Sequence, residues 1–218
     1  MECLGGMKMK TLATVLVIII SAAIGVSADV QSPADLSSVG GQTQETSLGD
    51  LISDAVRGTA GTTVSLIPAG GFREITIRAG AIKASDVPKC LQYPDDQVVV
   101  MRLTGAQLLK ALERSVSIYP QKNMGFLQVS GLTVRFDPGS PKESRIRSAM
   151  IGAEPVVANQ TYRVATTKPL ADGAYGYFTV WGSDQKPEMK GKTIAQSATD
   201  FLSQRTSVDY RTLNRIVH

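Results

Sequence analysis

Gln97-Val98-Val99-Val100-Met101-Arg102-Leu103 is the strongest strand signal in the chain, and it runs straight into Thr104, a helix cap with Gln107 at the third position. Leu108, Leu109, Ala111, Leu112 and Val116 then recur at helical spacing. Strand, cap and amphipathic helix follow one another without a connecting loop. The chain must therefore hold a β-α unit, and the segments on either side have to supply the layers that bury it.

Upstream, Glu45-Thr46-Ser47-Leu48-Gly49-Asp50-Leu51-Ile52-Ser53-Asp54-Ala55-Val56-Arg57 opens a helix. Ser47 with Asp50 three positions on resembles a capping box, and Leu48, Leu51, Ile52, Ala55 and Val56 line one apolar face that belongs in a core. Gly58 to Thr62 ends the helix, and Thr63 to Ile67 reads as a short buried strand. That strand delivers the chain to Ile67-Pro68-Ala69-Gly70-Gly71-Phe72-Arg73. A glycine loop at the carboxyl end of a strand is where open α/β sheets tend to place ligands. Gly70 and Gly71 permit close backbone approach or positive φ, and Arg73 offers a planar fork of donors suited to carboxylate or phosphate. The plain alternative is a turn carrying a surface arginine. Ile75 and Ile77 alternate with polar residues, and Ser85 or Asp86 caps a single helical turn with Pro88 near its start.

Downstream, Phe126 to Phe136 looks like paired strand material kinked at Gly131, and Asp137-Pro138-Gly139 supplies a turn. Arg145 to Ile151 and Thr161 to Thr166 are further strands, separated by a turn at Gly152 to Pro155. Ala171 to Tyr177 is a glycine-punctuated loop, and a third helix runs from about Thr193 to Ser203. Val208, Tyr210, Leu213 and Ile216 alternate as in a closing strand. The expected fold is α/β (α+β mixed), a single compact domain over residues 45–218 with mixed sheets and three main helices.

Lys8 and Lys10 precede an apolar run from Leu12 to Ile24, and Val26-Ser27-Ala28 supplies a small-x-small cleavage pattern. The run is too short, and too soon followed by Asp29, Gln31 and Ser32, for a comfortable membrane span. Residues 1–28 are therefore expected to be a signal peptide, with an uncleaved anchor as the alternative. The mature domain is expected to be exported, periplasmic or extracellular, with no stable membrane span after cleavage. Residues 29–44, rich in Ser, Gly, Gln and Asp without a hydrophobic period, read as a linker or loosely held arm. Without the leader Cys90 is the one cysteine left, so no internal disulfide is expected, and a domain of this size buries about 70% of its unfolded surface without such a staple. Loss of Lys8, Lys10 and Glu2 takes the formal charge from +4 to +3. That is too mild to argue for nucleic acid, and no basic cluster or basic-aromatic stripe supports such a partner.

The order of motifs resembles one family. Glu45 to Ala55 looks like its opening Glu-x-Asn-Leu-Gly-Asn-Leu-Ile-x-Asp-Ala helix, and Ala69-Gly70-Gly71-Phe72-Arg73 like its Asn-Gly-Gly-Gly-Ile-Arg loop with one glycine replaced. Leu103-Thr104-Gly105-Ala106-Gln107-Leu108 with Ala111-Leu112-Glu113 resembles its Leu-Thr-Gly-x-x-Leu…Leu-Glu helix, and Phe126 to Leu132 its Phe-Leu-Gln-Val-Ser-Gly-Leu segment. Tyr162-Arg163-Val164-Ala165-Thr166 and Gly173-Ala174-Tyr175-Gly176-Tyr177 fall where it has Tyr-Arg-Val-Ala-Thr and Gly-Gly-Asp-Gly-Tyr. The family is the C-terminal, substrate-binding domain of the exported 5′-nucleotidases.

The resemblance implies that hydrolysis belongs to a separate metallophosphoesterase domain with two metal ions on Asp, His and Asn residues. This chain has a single histidine, His218, whereas such a site needs several convergent His and carboxylate ligands. No catalytic residue, metal or cofactor is expected here. The family's loop arginine, which the resemblance places at Arg73, reaches the ribose-phosphate end of the substrate. Two phenylalanines sandwich the base in the family. Anchoring on Val98-Val99-Val100 puts the first at Pro94, with an accompanying Asn at Asp96; anchoring on Gly176-Tyr177 puts the second at Pro169, with the loop's Asp at Tyr175. A stacked base gains roughly 1 to 3 kcal/mol per aromatic contact, so losing both weakens the case for a nucleotide, as does the charge of Asp96. Tyr93 and Tyr175 either rebuild one stacking face or pack at a loop edge. The candidate ligand-binding residues are Gly70, Gly71, Arg73, Tyr93, Asp96 and Tyr175.

Three readings follow. The first is an exported non-catalytic binding module for a small polar or nucleoside-like ligand. In the second, the chain is the substrate-binding half of a split enzyme, acting with a separate metallophosphoesterase chain. The third is a structural or interaction protein that kept the fold and lost the site.

Overall fold

A computed structural model describes residues 29–182, 185–212 and 214–218. The expected leader, residues 1–28, and Leu213 of the tail lie outside the described residues. In chain order the elements are β1 (Val30–Ser32), β2 (Leu36–Ser37), α1 (Ser47–Ala60), β3 (Val64–Pro68), β4 (Thr76–Ile77) and β5 (Gly80–Ile82). Next come β6 (Gln97–Thr104), α2 (Gly105–Val116), β7 (Leu127–Ser130), β8 (Thr133–Phe136), β9 (Ile146–Ile151) and β10 (Glu154–Pro155). The last are β11 (Thr161–Thr167), α3 (Lys168–Ala171), α4 (Phe178–Trp181), β12 (Glu188–Thr193), α5 (Ile194–Ser203) and β13 (Ile216–Val217).

The central layer is a five-stranded mixed sheet in the order β12-β6-β11-β3-β7. β11 and β3 are parallel, and the other neighbours are antiparallel. β6 shows why the sheet is central. Val99, Met101 and Leu103 enter a core shared with α2, α3 and α4, while Val98 and Val100 enter a core shared with α1 and α5. A strand buried on both faces reads as a continuous apolar run, and this one does. Thr104 caps α2 in a full capping box with Gln107, and Thr193 caps α5 in the same way with Gln196. No helix among the described residues is long and apolar enough to cross a membrane.

Three expectations need correction. Residues 29–44 are not a loose arm: β1 pairs with β5 and β2 with β4, and Val30 and Leu36 are each 1% exposed. Two anchors in strands this short leave no detectable period. Phe126 to Phe136 does not pair with itself. β7 lies in the central sheet beside β3, whereas β8 lies in a second sheet of order β10-β9-β8-β13, and Gly131, at φ 74°, makes the change of direction between them. Lastly, Thr46 rather than Ser47 caps α1, its side chain accepting from the Gly49 N–H.

Asp50, read as part of a cap, instead joins a buried ionic cluster that clasps the tail. Arg215 donates to both carboxylate oxygens of Asp54 at 2.9 and 3.0 Å, and its Nε lies 3.3 Å from Asp50. Glu45 Oε2 accepts the N–H groups of Arg215 and Ile216 at 2.8 and 3.0 Å. One cation faces three carboxylates, so one acid must hold its proton. Burial, then the neighbouring Glu45 carboxyl, pushes Asp50 up to about 9, which favours its neutral form. Burial also acts upward on Asp54, but Arg215, Ser130 and Tyr210 outweigh it and hold that carboxyl below its ordinary range.

A folded-state value above the ordinary 3.8 means that the contribution of neutral Asp50 is full below that value and is lost as pH rises toward about 9. Asp50→Asn keeps the position neutral, so urea unfolding across this window should show a flatter decline in stability than the parent. Arg215→Met, which strands Asp54, should cost roughly 3 to 5 kcal/mol at neutral pH in the same measurement.

Candidate functional site

β3 ends at Pro68, and Ala69–Gly71 form one 3₁₀ turn. The turn is held from both sides. Ala69 and Gly70 donate to the Phe126 and Met124 carbonyls, each at 2.7 Å, while Arg73 donates its N–H to the Cys90 carbonyl and Gly71 O accepts from Gln92. Neither glycine adopts positive φ. The absent Cβ matters at Gly70 for another reason: a side chain there would come within 2.6 to 2.7 Å of the Tyr175 phenol ring. At Gly71 a Cβ would meet nothing within 4 Å.

Tyr175 is presented by a loop with a glycine on either side. It is left-handed, at φ 56°, between Gly173 and Gly176 at 94° and 82°. For a residue with a Cβ that conformation costs about 1 to 2 kcal/mol. Arg114 of α2 offsets it by donating Nη2–H to the Tyr175 carbonyl at 2.6 Å. Behind it Tyr177 is fully buried, stacks on Trp181 at 5.0 Å and donates its hydroxyl to the Gly125 carbonyl at 2.7 Å.

The facing segment, residues 93–96, is folded onto the start of α5. Ile194 and Ala195 donate their N–H groups to the Asp96 and Pro94 carbonyls at 2.9 and 3.1 Å, so the loop supplies acceptors that the helix end otherwise lacks. Between the two segments lies a cavity of about 320 Å³. Tyr93, Tyr175 and Pro169 line it together with Ile67, Ile194 and Asp96. Burial, then the neighbouring Asp95, raises Asp96 above the usual carboxylate range. Burial, then Tyr93 and Asp96, raises the Tyr175 phenol.

Of the residues singled out in the sequence, Gly71, Tyr93, Asp96 and Tyr175 line this cavity. Gly70 lies behind the Tyr175 ring as its support. Arg73 is exposed, its Nε 3.2 Å from the Gln92 amide oxygen, and is not among the lining residues. Pro169 is the second residue of α3, in the first turn where a missing N–H is tolerated, and also forms cavity wall; Pro94 does not line it. Ile67, Thr167 and Ile194 carry no sequence signal beyond core apolarity or strand propensity. A larger cavity of about 760 Å³ lies beside α2. Three of its five charged groups are already engaged, Lys110 on the Thr179 carbonyl, Glu113 on the Arg145 and Ile146 N–H groups, and Arg114 on Tyr175, while Lys142 and Glu143 also line it.

The model of the 5′-nucleotidase C-terminal domain matches residues 23–182. The chain belongs to the 5′-nucleotidase C-terminal domain family. It is 30% identical over 145 residues to the trifunctional nucleotide phosphoesterase protein YfkN of Bacillus subtilis, covering 62% of this chain and 10% of that protein. To an apyrase of Anopheles gambiae it is 32% identical over 142 residues, covering 61% and 25%. A solved 5′-nucleotidase precursor from Thermus thermophilus superposes with TM-score 0.78 at 30% identity, covering 87% of this chain and 39% of that one. The chain thus spans well under half of each of these relatives. Among the described residues no group of three or more His, Cys, Asp or Glu side chains converges as metal ligands would, so these residues do not fit a dimetal centre.

The close contact at Gly70 gives a paired test. Gly70→Ala should lower stability by about 1 to 3 kcal/mol through overpacking against Tyr175. Gly71→Ala, with open space at its Cβ, should stay within about 0.5 kcal/mol of the parent in the same thermal unfolding assay.

Proposed function

We propose that this chain is the ligand-gripping domain of a nucleotidase-type system, holding a flat, nucleoside-like molecule between Tyr93 and Tyr175 without hydrolysing it. The observation that carries this reading is the tyrosine-walled cavity at the carboxyl end of β3, with Tyr175 fixed in a costly backbone conformation by Arg114. Its volume lies at the lower end of the range for small-molecule sites, and its walls are apolar with a single charged group, as such sites require. Strain held in place by surrounding structure is itself a pointer to function. The two tyrosines stand in for the aromatic pair that Pro94 and Pro169 displace. Arg73 lies two residues beyond Gly71 and serves the charged end of a ligand that projects from the cavity.

A second reading, in which a separate metallophosphoesterase chain completes the enzyme, is favoured by the extra length of YfkN and the apyrase beyond the part matched here. In both readings the domain works after export, in a periplasm or outside the cell. The basis is the Lys8–Ala28 leader pattern.

Thermal shift of the full chain with nucleosides and nucleoside 5′-monophosphates tests the site. A ligand at 100 times its dissociation constant should add about 2.7 kcal/mol of stability. Tyr175→Ala should abolish that shift. Arg73→Ala should spare nucleosides and weaken the monophosphates roughly ten-fold, the worth of one charge-assisted contact. Phosphate release by the pure chain that survives metal chelation would overturn the non-catalytic assignment.

A further inference from the structure

Asp96 is the one charged residue among those lining the tyrosine cavity. Its backbone is fully engaged, the N–H donating to the Tyr93 carbonyl at 3.2 Å and the carbonyl accepting from Ile194 at 2.9 Å. Its side chain is not: burial and the Asp95 charge are the influences on its carboxyl, and no hydrogen bond from a described residue is among them. A half-buried carboxylate among tyrosine, proline and isoleucine side chains, with no cation beside it, is costly unless a donor meets it. No cationic residue is among the lining, so a ligand that brings its own donors to this carboxylate is favoured over one that does not.

An ionised carboxylate accepts and cannot donate, and it accepts best from two parallel N–H groups. Among the common bases guanine alone carries two adjacent N–H donors on one edge, the ring N1–H and the exocyclic amine. Adenine offers its amine beside a ring nitrogen whose lone pair would face the carboxylate. Uracil sets its single N–H between two carbonyls, and cytosine pairs its amine with an acceptor. An amide at this position, by contrast, can both give and take, which suits adenine.

We propose that Asp96 makes this cavity selective for a guanine-type base, its two carboxylate oxygens accepting N1–H and the exocyclic amine while Tyr93 and Tyr175 cover the ring faces. This rests on the reading of the cavity as a nucleoside site.

The test is calorimetric titration of the full chain with guanosine, inosine and adenosine. Inosine keeps N1–H and lacks the amine. Guanosine should bind about ten-fold or more tighter than inosine, and adenosine should be weakest, since a bidentate base contact discriminates by roughly five- to a hundred-fold. Asp96→Asn should lower guanosine affinity at least ten-fold and leave adenosine equal or improved. Measurable nucleoside binding without a guanosine preference overturns the role of Asp96 and leaves the tyrosine site standing. So does a preference that Asp96→Asn fails to alter. If no nucleoside binds, the nucleoside site itself fails and this inference with it. The parent series needs no variant, so a poorly folding Asp96→Asn protein does not blunt the comparison.

Discussion

The Tyr175 ring can lie against the end of β3 because residue 70 has no side chain. That contact fixes how near the loop of residues 173–177 comes to the sheet, and hence where one wall of the cavity stands. The backbone on the other side of the ring is left-handed and tied to Arg114, so the tyrosine is wedged between a glycine floor and a guanidinium. The glycine loop thus acts as a seat for a protein side chain, and most of its own N–H groups are already bonded.

This seat depends in turn on a sheet buried on both faces. β6 and β11 send alternate residues into two cores, and α1 and α5 close one side while α2 and the short helices near Tyr177 close the other. The two sides of the site belong to different layers: residues 93–96 are bound to the start of α5, and Tyr175 to α2. Cys90 is buried and free, so no disulfide among the described residues helps. The tail contributes instead. Arg215 reaches across to Asp50 and Asp54 of α1, and Glu45 caps the tail's N–H groups, which anchors β13 beside β8.

The sequence was most legible where the determining interactions are local. The β6-α2 unit, a capping box next to an apolar period, and the third helix, α5, stand where the residues indicated. Asp50 misled because an acid three residues after a serine suits a cap, whereas its partners, Glu45 and Arg215, include one from the far end of the chain. β7 and β8 looked like partners because proximity in sequence usually means pairing, but Gly131 turns the chain from one sheet to the other. The arm of residues 29–44 was illegible because its strands pair with β4 and β5 through only two or three residues each. At the site, Gly71, Tyr93, Asp96 and Tyr175 converge, yet nothing local could have shown that Gly70 supports a tyrosine more than a hundred residues away.

The most direct test of the tyrosine site is the intermolecular NOE spectrum of the tyrosine-labelled chain with saturating guanosine. The expected result is cross-peaks from the base H8 proton to the rings of both Tyr93 and Tyr175. Cross-peaks confined to side chains of the larger cavity beside α2, such as Leu109 and Ile118, with neither tyrosine ring affected, would contradict it.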